Sequence, residues 1–146
     1  MSKHDDSPFA ITLKVRDSCL CLYAQRAARS LARRFDEAFR PFSITSGQFS
    51  LMMALNRPKA PRMSDVAAVL GMDRTTLTAN LKPLERRGLV MVNADETDRR
   101  SRLLTLTSAG RQLLAAAVPV WEETQADMER LLADPERLRT DLRALS

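Results

Sequence analysis

Between Ser64 and Leu106 the spacing of apolar residues changes character twice, and few folds can absorb that change. Val66, Val69 and Leu70 keep the three-and-four spacing of a helix and stop at Gly71, a residue suited to the left-handed conformation that ends one. Asp73 then caps a second helix, Arg74 to Arg87, which ends at Gly88. Its apolar side is Leu77, Leu81 and Leu84, and the opposite side carries Arg74, Thr75, Thr78, Ala79 and Lys82. Directly afterwards the pattern turns strand-like, with Leu89-Val90-Met91-Val92 and Leu103-Leu104-Thr105-Leu106 flanking the polar loop Asn93 to Arg102. Such short helices bury their faces only by packing on each other and on a larger frame. Pro83 removes a hydrogen bond to the Ala79 carbonyl, and a kink is expected there.

The frame is written on either side. From about Ile11 to Arg40 there is no Gly or Pro, and Cys21, Ala24, Ala28, Leu31, Phe35, Ala38 and Phe42 form the seam of one long helix, ended by Pro41. Thr45-Ser46-Gly47-Gln48 reads as a capping box, and a helix runs from it through Leu55. Asn56 to Pro61 is a turn-rich connector. Ser64 and Asp65 start the next helix. Thr107 and Ser108 reopen helix from Ala109 to Leu132, and Asp134-Pro135-Glu136 opens a last one. The expected class is mainly α with a small β-hairpin. Composition agrees, with 45 % hydrophobic and only 5 % aromatic residues.

Several chemistries have no residues to work with. The single histidine, His4, lies in a polar tail, so histidine-based metal sites and triads lack their ligand or base. The four glycines are scattered singly, without a phosphate loop. No catalytic residue, metal or cofactor is expected, and no enzyme. Cys19 and Cys21 stand two apart on a predicted helix, where their side chains diverge. No apolar run reaches the roughly 18 residues of a membrane span, and the start Met1 to Asp6 carries acids where a signal peptide needs basic then apolar residues. A cytoplasmic location is expected.

Charge is distributed unevenly. Of a net +5, eleven basic and six acidic side chains fall between Arg57 and Arg111, against twelve of each elsewhere. A basic middle in a neutral frame is the footprint of a polyanion-binding module. Two short helices across a tight turn have the layout of a helix-turn-helix, whose second helix shows small polar and basic side chains to base edges.

Met63-Ser64-Asp65-Val66-Ala67, Asp73-Arg74-Thr75-Thr76-Leu77-Thr78, Leu84-Glu85-Arg86-Arg87-Gly88-Leu89-Val90 and Asp95-Glu96-Thr97-Asp98-Arg99-Arg100 running into Leu106-Thr107 follow one another in an order that resembles the MarR family of winged helix-turn-helix transcription regulators. The resemblance covers nearly the whole chain. It implies a flexible tail at 1–10, an N-terminal dimerisation helix at 11–44, a winged DNA-binding domain at 45–107 and C-terminal dimerisation helices at 108–146. It further implies that Asp98 braces the wing and that arginine at Arg100 enters a minor groove. Pro83 departs from the commoner family pattern.

The residues themselves are of the right types for double-stranded DNA: Arg74, Thr75, Thr78 and Lys82 for major-groove bases and phosphates, Arg99 and Arg100 for a narrow minor groove, and Arg102 as a further DNA contact. Arg86 and Arg87 suit either phosphate or the helix C-terminus. The apolar stripes of the flanking helices need partners, most simply in a second copy forming an isologous homodimer on a pseudo-palindromic operator. The family commonly binds small aromatic effectors, for which Tyr23, Arg26, Phe49, Met52 and Met53 are candidates here, the alternative for the last three being ordinary core. Cys19, four residues before Tyr23, matches the spacing of the family's hydroperoxide sensors, but Ser46 and Phe49 stand where those sensors have tyrosines, and a buried inert thiol is the competing reading. The expectation is a ligand-released repressor. Its alternatives are a redox-switched repressor using Cys19, or a winged-helix module for protein or RNA.

Overall fold

The computed structural model describes residues 8–146. His4 and residues 1–7 of the expected tail lie outside them. Helix α1, Pro8–Ser18, starts inside the stretch assigned to the tail, and α2 follows at Leu20–Ala38. The single long helix expected from Ile11 to Arg40 is therefore two. The break is at Cys19, whose backbone is extended at φ −73° and ψ 107°. No Gly or Pro causes it. The Ser18 hydroxyl beside it donates to the Lys14 carbonyl.

A short 3-10 turn, Arg40–Phe42, leads through Ser43, at φ 53°, into α3, Ser46–Leu55. The capping box is formed as the sequence specifies: Thr45 Oγ1 accepts the Gln48 N–H at 3.1 Å and Gln48 Oε1 accepts the Thr45 N–H at 3.0 Å. Helix α4, Met63–Leu70, takes Arg62 rather than Ser64 as its N-cap and ends at Gly71, φ 62°. Helix α5, Arg74–Arg86, runs unbroken through Pro83. Leu77, Leu81 and Leu84, fully or almost fully buried on either side of that proline, anchor it to the core. Each such side chain contributes about 1.5–3 kcal/mol of burial, on the scale of the roughly 3 kcal/mol a helix-interior proline costs.

Strands β1, Val90–Ala94, and β2, Arg102–Leu106, pair antiparallel with Val90 opposite Leu106 and Ala94 opposite Arg102. The strands thus extend into the expected loop. The sheet also gains an edge that the sequence does not announce: Arg62 bridges Leu103, and the Leu104 N–H donates to the Pro61 carbonyl at 3.0 Å. Helices α6, Ser108–Glu129, and α7, Pro135–Ala144, complete the chain, capped by Thr107 and Asp134.

The core gathers Leu51, Met52, Val66, Leu77, Leu84, Val90 and Leu104 beneath α3, α4, α5 and the sheet. At its edge Phe39, Phe49 and Trp121 stack in sequence, with ring centroids 4.6 and 6.4 Å apart, and so join α2, α3 and α6. Phe39, outside the expected seam, is the fully buried residue of α2's end, whereas Cys21, Ala24, Ala28 and Leu31 of that seam are exposed. Among the described residues, no helix is long and apolar enough to cross a membrane.

Candidate functional site

Asp73 begins the site. Its carboxylate accepts the Thr76 N–H at 2.7 Å and the Thr76 hydroxyl at 3.0 Å, which fixes the first turn of α5. Those two bonds hold the Asp73 carboxyl below the usual carboxylate range. Arg74 and Thr75 follow, both exposed, and the half-buried Thr78 donates its hydroxyl to the Arg74 carbonyl at 2.8 Å. Lys82 and Arg86 continue the line, exposed and without a carboxylate within ion-pair distance among the described residues. Arg87 does not continue it. Its guanidinium donates to the Ser43 carbonyl at 2.6 Å and the Phe42 carbonyl at 3.1 Å, tying the end of α5 to the corner between α2 and α3.

The wing is built by its own hydrogen bonds. Asp95 N–H donates to the Ser101 carbonyl at 3.3 Å and Ser101 N–H to the Asp98 carbonyl at 3.0 Å, which closes the tip. Asp98 Oδ1 accepts the Arg100 N–H at 3.0 Å, so the expected brace acts on the backbone of Arg100 and leaves its guanidinium free. Arg102 is held closer in, its Nη1 reaching the Arg99 and Ser101 carbonyls at 3.4 and 3.3 Å.

The wing and α5 meet across a hollow of about 440 Å³ lined by Arg62, Arg74, Asp98, Arg100 and Arg102 among others. Four arginines thus line one solvent-open hollow beside the Asp98 carboxylate, and planar guanidinium forks suit phosphate oxygens. The sequence singled out three of the four. Arg62, just past the expected connector and given no role by the sequence, joins them because the chain before α4 pairs with β2. It also forms an ion pair with Asp95, Nε to Oδ2 at 3.4 Å. Asp95 is the one buried charged residue among those described. The N–H and hydroxyl of Thr97, and then the Arg62 charge, outweigh burial and hold its carboxyl low.

The five residues considered for an effector do not converge. Tyr23 and Arg26 line a hollow on α2 with Arg29, Ser30 and Arg33. Phe49 and Met53 line another, of about 570 Å³, with Arg57, Val69, Leu70, Val118 and Trp121 between α3, α4 and α6. Met52 is core, with no exposed surface. Neighbouring methionines on a helix face different ways, and the three-and-four period alone did not separate them. Cys19 is half-buried at the helix break and Cys21 is exposed. The continuous helix that was expected to keep the two thiols apart is therefore absent at that point.

Comparison with known proteins matches residues 44–101 to the MarR family. The transcriptional regulator HosA of Escherichia coli O157:H7 is 31 % identical over 101 residues, 68 % of this chain and 74 % of HosA. The transcriptional activatory protein BadR of Rhodopseudomonas palustris (strain ATCC BAA-98 / CGA009) is 35 % identical over 100 residues. That match covers 66 % of this chain, which spans about half, 53 %, of BadR. Among solved structures, the M. tuberculosis transcriptional regulator MOSR in complex with DNA superposes with a TM-score of 0.81 at 40 % identity, covering 88 % of this chain and 93 % of that one.

Proposed function

Because this chain belongs to the MarR family of transcriptional regulators, we propose that it is a homodimeric repressor that binds a pseudo-palindromic operator and is released by a small aromatic ligand. The observation that carries the DNA reading is the arginine-lined hollow between the wing and the first turn of α5. In the proposed complex, Arg74, Thr75, Thr78 and Lys82 face the major groove, Arg86 lies along the backbone, and Arg99 and Arg100 enter the adjoining minor groove, with Arg102 behind them. Asp98 orders the backbone that carries Arg100.

Apolar surface left open at the two ends of the chain supports the dimer. Phe9, Ile11 and Val15 on α1, and Leu138, Leu142 and Leu145 at α7, are exposed in the single chain. Together with the open seam of α2 they form faces that a second copy would cover, with 11–44 and 108–146 as the dimer frame and 45–107 as the DNA-binding unit. For the effector, the Phe49–Met53–Trp121 hollow is the candidate site: aromatic and aliphatic lining together with the Arg57 cation suits an aromatic carboxylate. BadR is named as an activatory protein. A dimer seated on an operator that overlaps a promoter would repress by excluding polymerase through bulk alone. A second reading, redox release through Cys19, draws on the helix break at that residue, and it predicts a sulfenic acid or disulfide that reductant reverses.

Duplexes selected by the protein from a random pool test the DNA reading directly. Arg100→Ala should lose roughly 1–3 kcal/mol of affinity for the selected duplex at fixed salt, with the thermal midpoint unchanged. Recovery of no duplex by the wild-type chain, or an affinity that does not fall with salt, removes it in favour of a protein- or RNA-binding module.

A further inference from the structure

Arg62 is asked to do two things at once. It lines the hollow that holds Arg74, Arg100 and Arg102, and it is paired with the buried carboxylate of Asp95, just past the end of β1 where the wing tip begins. Its backbone is equally committed, as N-cap of α4 on one side and bridge partner of Leu103 on the other. A hairpin of two five-residue strands is a weak lever by itself, since a two-stranded sheet is marginal without further packing. Its outer end, where Asp95 follows Ala94 and the tip begins, is held to the helices by a charged contact, Asp95 to Arg62.

We infer that Asp95 is a positioning residue for DNA recognition: through Arg62 it locks the wing to the start of α4 and so sets the spacing between Arg100 on the wing and Arg74 on α5. The inference rests on the DNA reading above. Thr97, whose N–H and hydroxyl bond Asp95 Oδ1 at 3.0 and 2.8 Å, holds the carboxylate so that Oδ2 faces the guanidinium. Specific binding needs the wing and α5 in register with two grooves at once, whereas non-specific binding needs only charge. Asp95 should therefore matter to the first and not to the second.

Simple electrostatics and positioning predict opposite signs for one substitution, which makes the test sharp. Asp95→Asn makes the protein one unit more positive, so a purely electrostatic role predicts tighter binding to any duplex. Positioning predicts roughly tenfold weaker binding to a duplex selected by the wild-type chain, the scale of one lost specific contact. Affinity for a shuffled duplex of equal length would be unchanged or raised. Arg62→Lys, at a half-exposed side chain, keeps the charge and gives up the planar fork; it should lose specific affinity in the same direction with an unchanged salt slope. This second variant carries the test if Asp95→Asn lowers the thermal midpoint below the assay temperature. Either folded variant binding the selected duplex as tightly as wild type overturns the inference. If instead the wild-type chain selects no duplex, or Arg100→Ala costs nothing, it is the DNA reading that has failed.

Discussion

Gly110 sits in the first turn of α6, where replacing glycine by alanine ordinarily stabilises a helix by about 1 kcal/mol. Here the sign should reverse. A Cβ at Gly110 would stand 2.1 Å from the backbone oxygen of Leu89, well inside the 3.0 Å that real Cβ atoms essentially never breach. The obstacle is main chain, so it cannot rotate aside. That oxygen also accepts the Thr107 N–H at 3.1 Å, and Thr107 in turn caps Gly110 and donates its hydroxyl to the Gly88 carbonyl. Relieving the clash therefore means opening the joint between α5, the sheet and α6. Overpacking of this kind costs up to about 3 kcal/mol and a strained hydrogen bond about 1 more, less the propensity gain of about 1. The net of roughly 3 kcal/mol lowers the thermal midpoint by roughly 6–12 °C in a chain of this size. Circular dichroism melts of Gly110→Ala against Gly47→Ala provide the comparison, because a Cβ at Gly47 meets only Thr45 Oγ1 at 3.9 Å and should raise the midpoint slightly. A Gly110→Ala midpoint at or above that of wild type would refute the reasoning.

Further outcomes follow from other parts of the molecule. Asp73, Asp95, Glu129 and Glu136 all have carboxyl groups held below their ordinary values, so their contribution is complete above the unfolded range near pH 4 and is lost as pH falls through the lower folded values. The thermal midpoint should drop between about pH 5 and about pH 3, less steeply in Asp73→Asn; a flat profile speaks against these bonds. Deleting residues 134–146 removes the exposed leucines of α7, and sedimentation should show monomer or aggregate, while an intact soluble dimer would contradict the proposed frame. Cys19→Ser should leave DNA binding and its response to low hydroperoxide as in wild type, since no tyrosines stand at Ser46 and Phe49 to hold a thiolate. Rapid, Cys19-dependent release by peroxide would promote the redox reading over the small-molecule one.

Local chemistry made much of this fold legible from sequence. Thr45 with Gln48, Asp73, Thr107 and Asp134 cap the helices they precede, and Gly71 and Gly88 both take positive φ, because each of these residues acts on its own neighbours within three positions. Features that depend on distant partners were opaque. The Arg62–Asp95 pair joins residues far apart in sequence, Gly110 is constrained by a carbonyl from another element, and Met52 and Met53 differ in burial only because α3 packs on one side. The break at Cys19 is a different case, since neither Gly nor Pro marks it in the sequence.

The two hydrogen bonds from Arg87 give the molecule a linkage. The far end of α5 is fastened to the carbonyls of Phe42 and Ser43, at the corner where α2 turns into α3. A shift of α2 must therefore either carry the end of α5 with it or break both bonds. In a dimer whose halves meet through α2, the separation of the two reading heads would be geared to the dimer interface, and a wedge placed anywhere that moves α2 would change the gauge of the pair without touching either one.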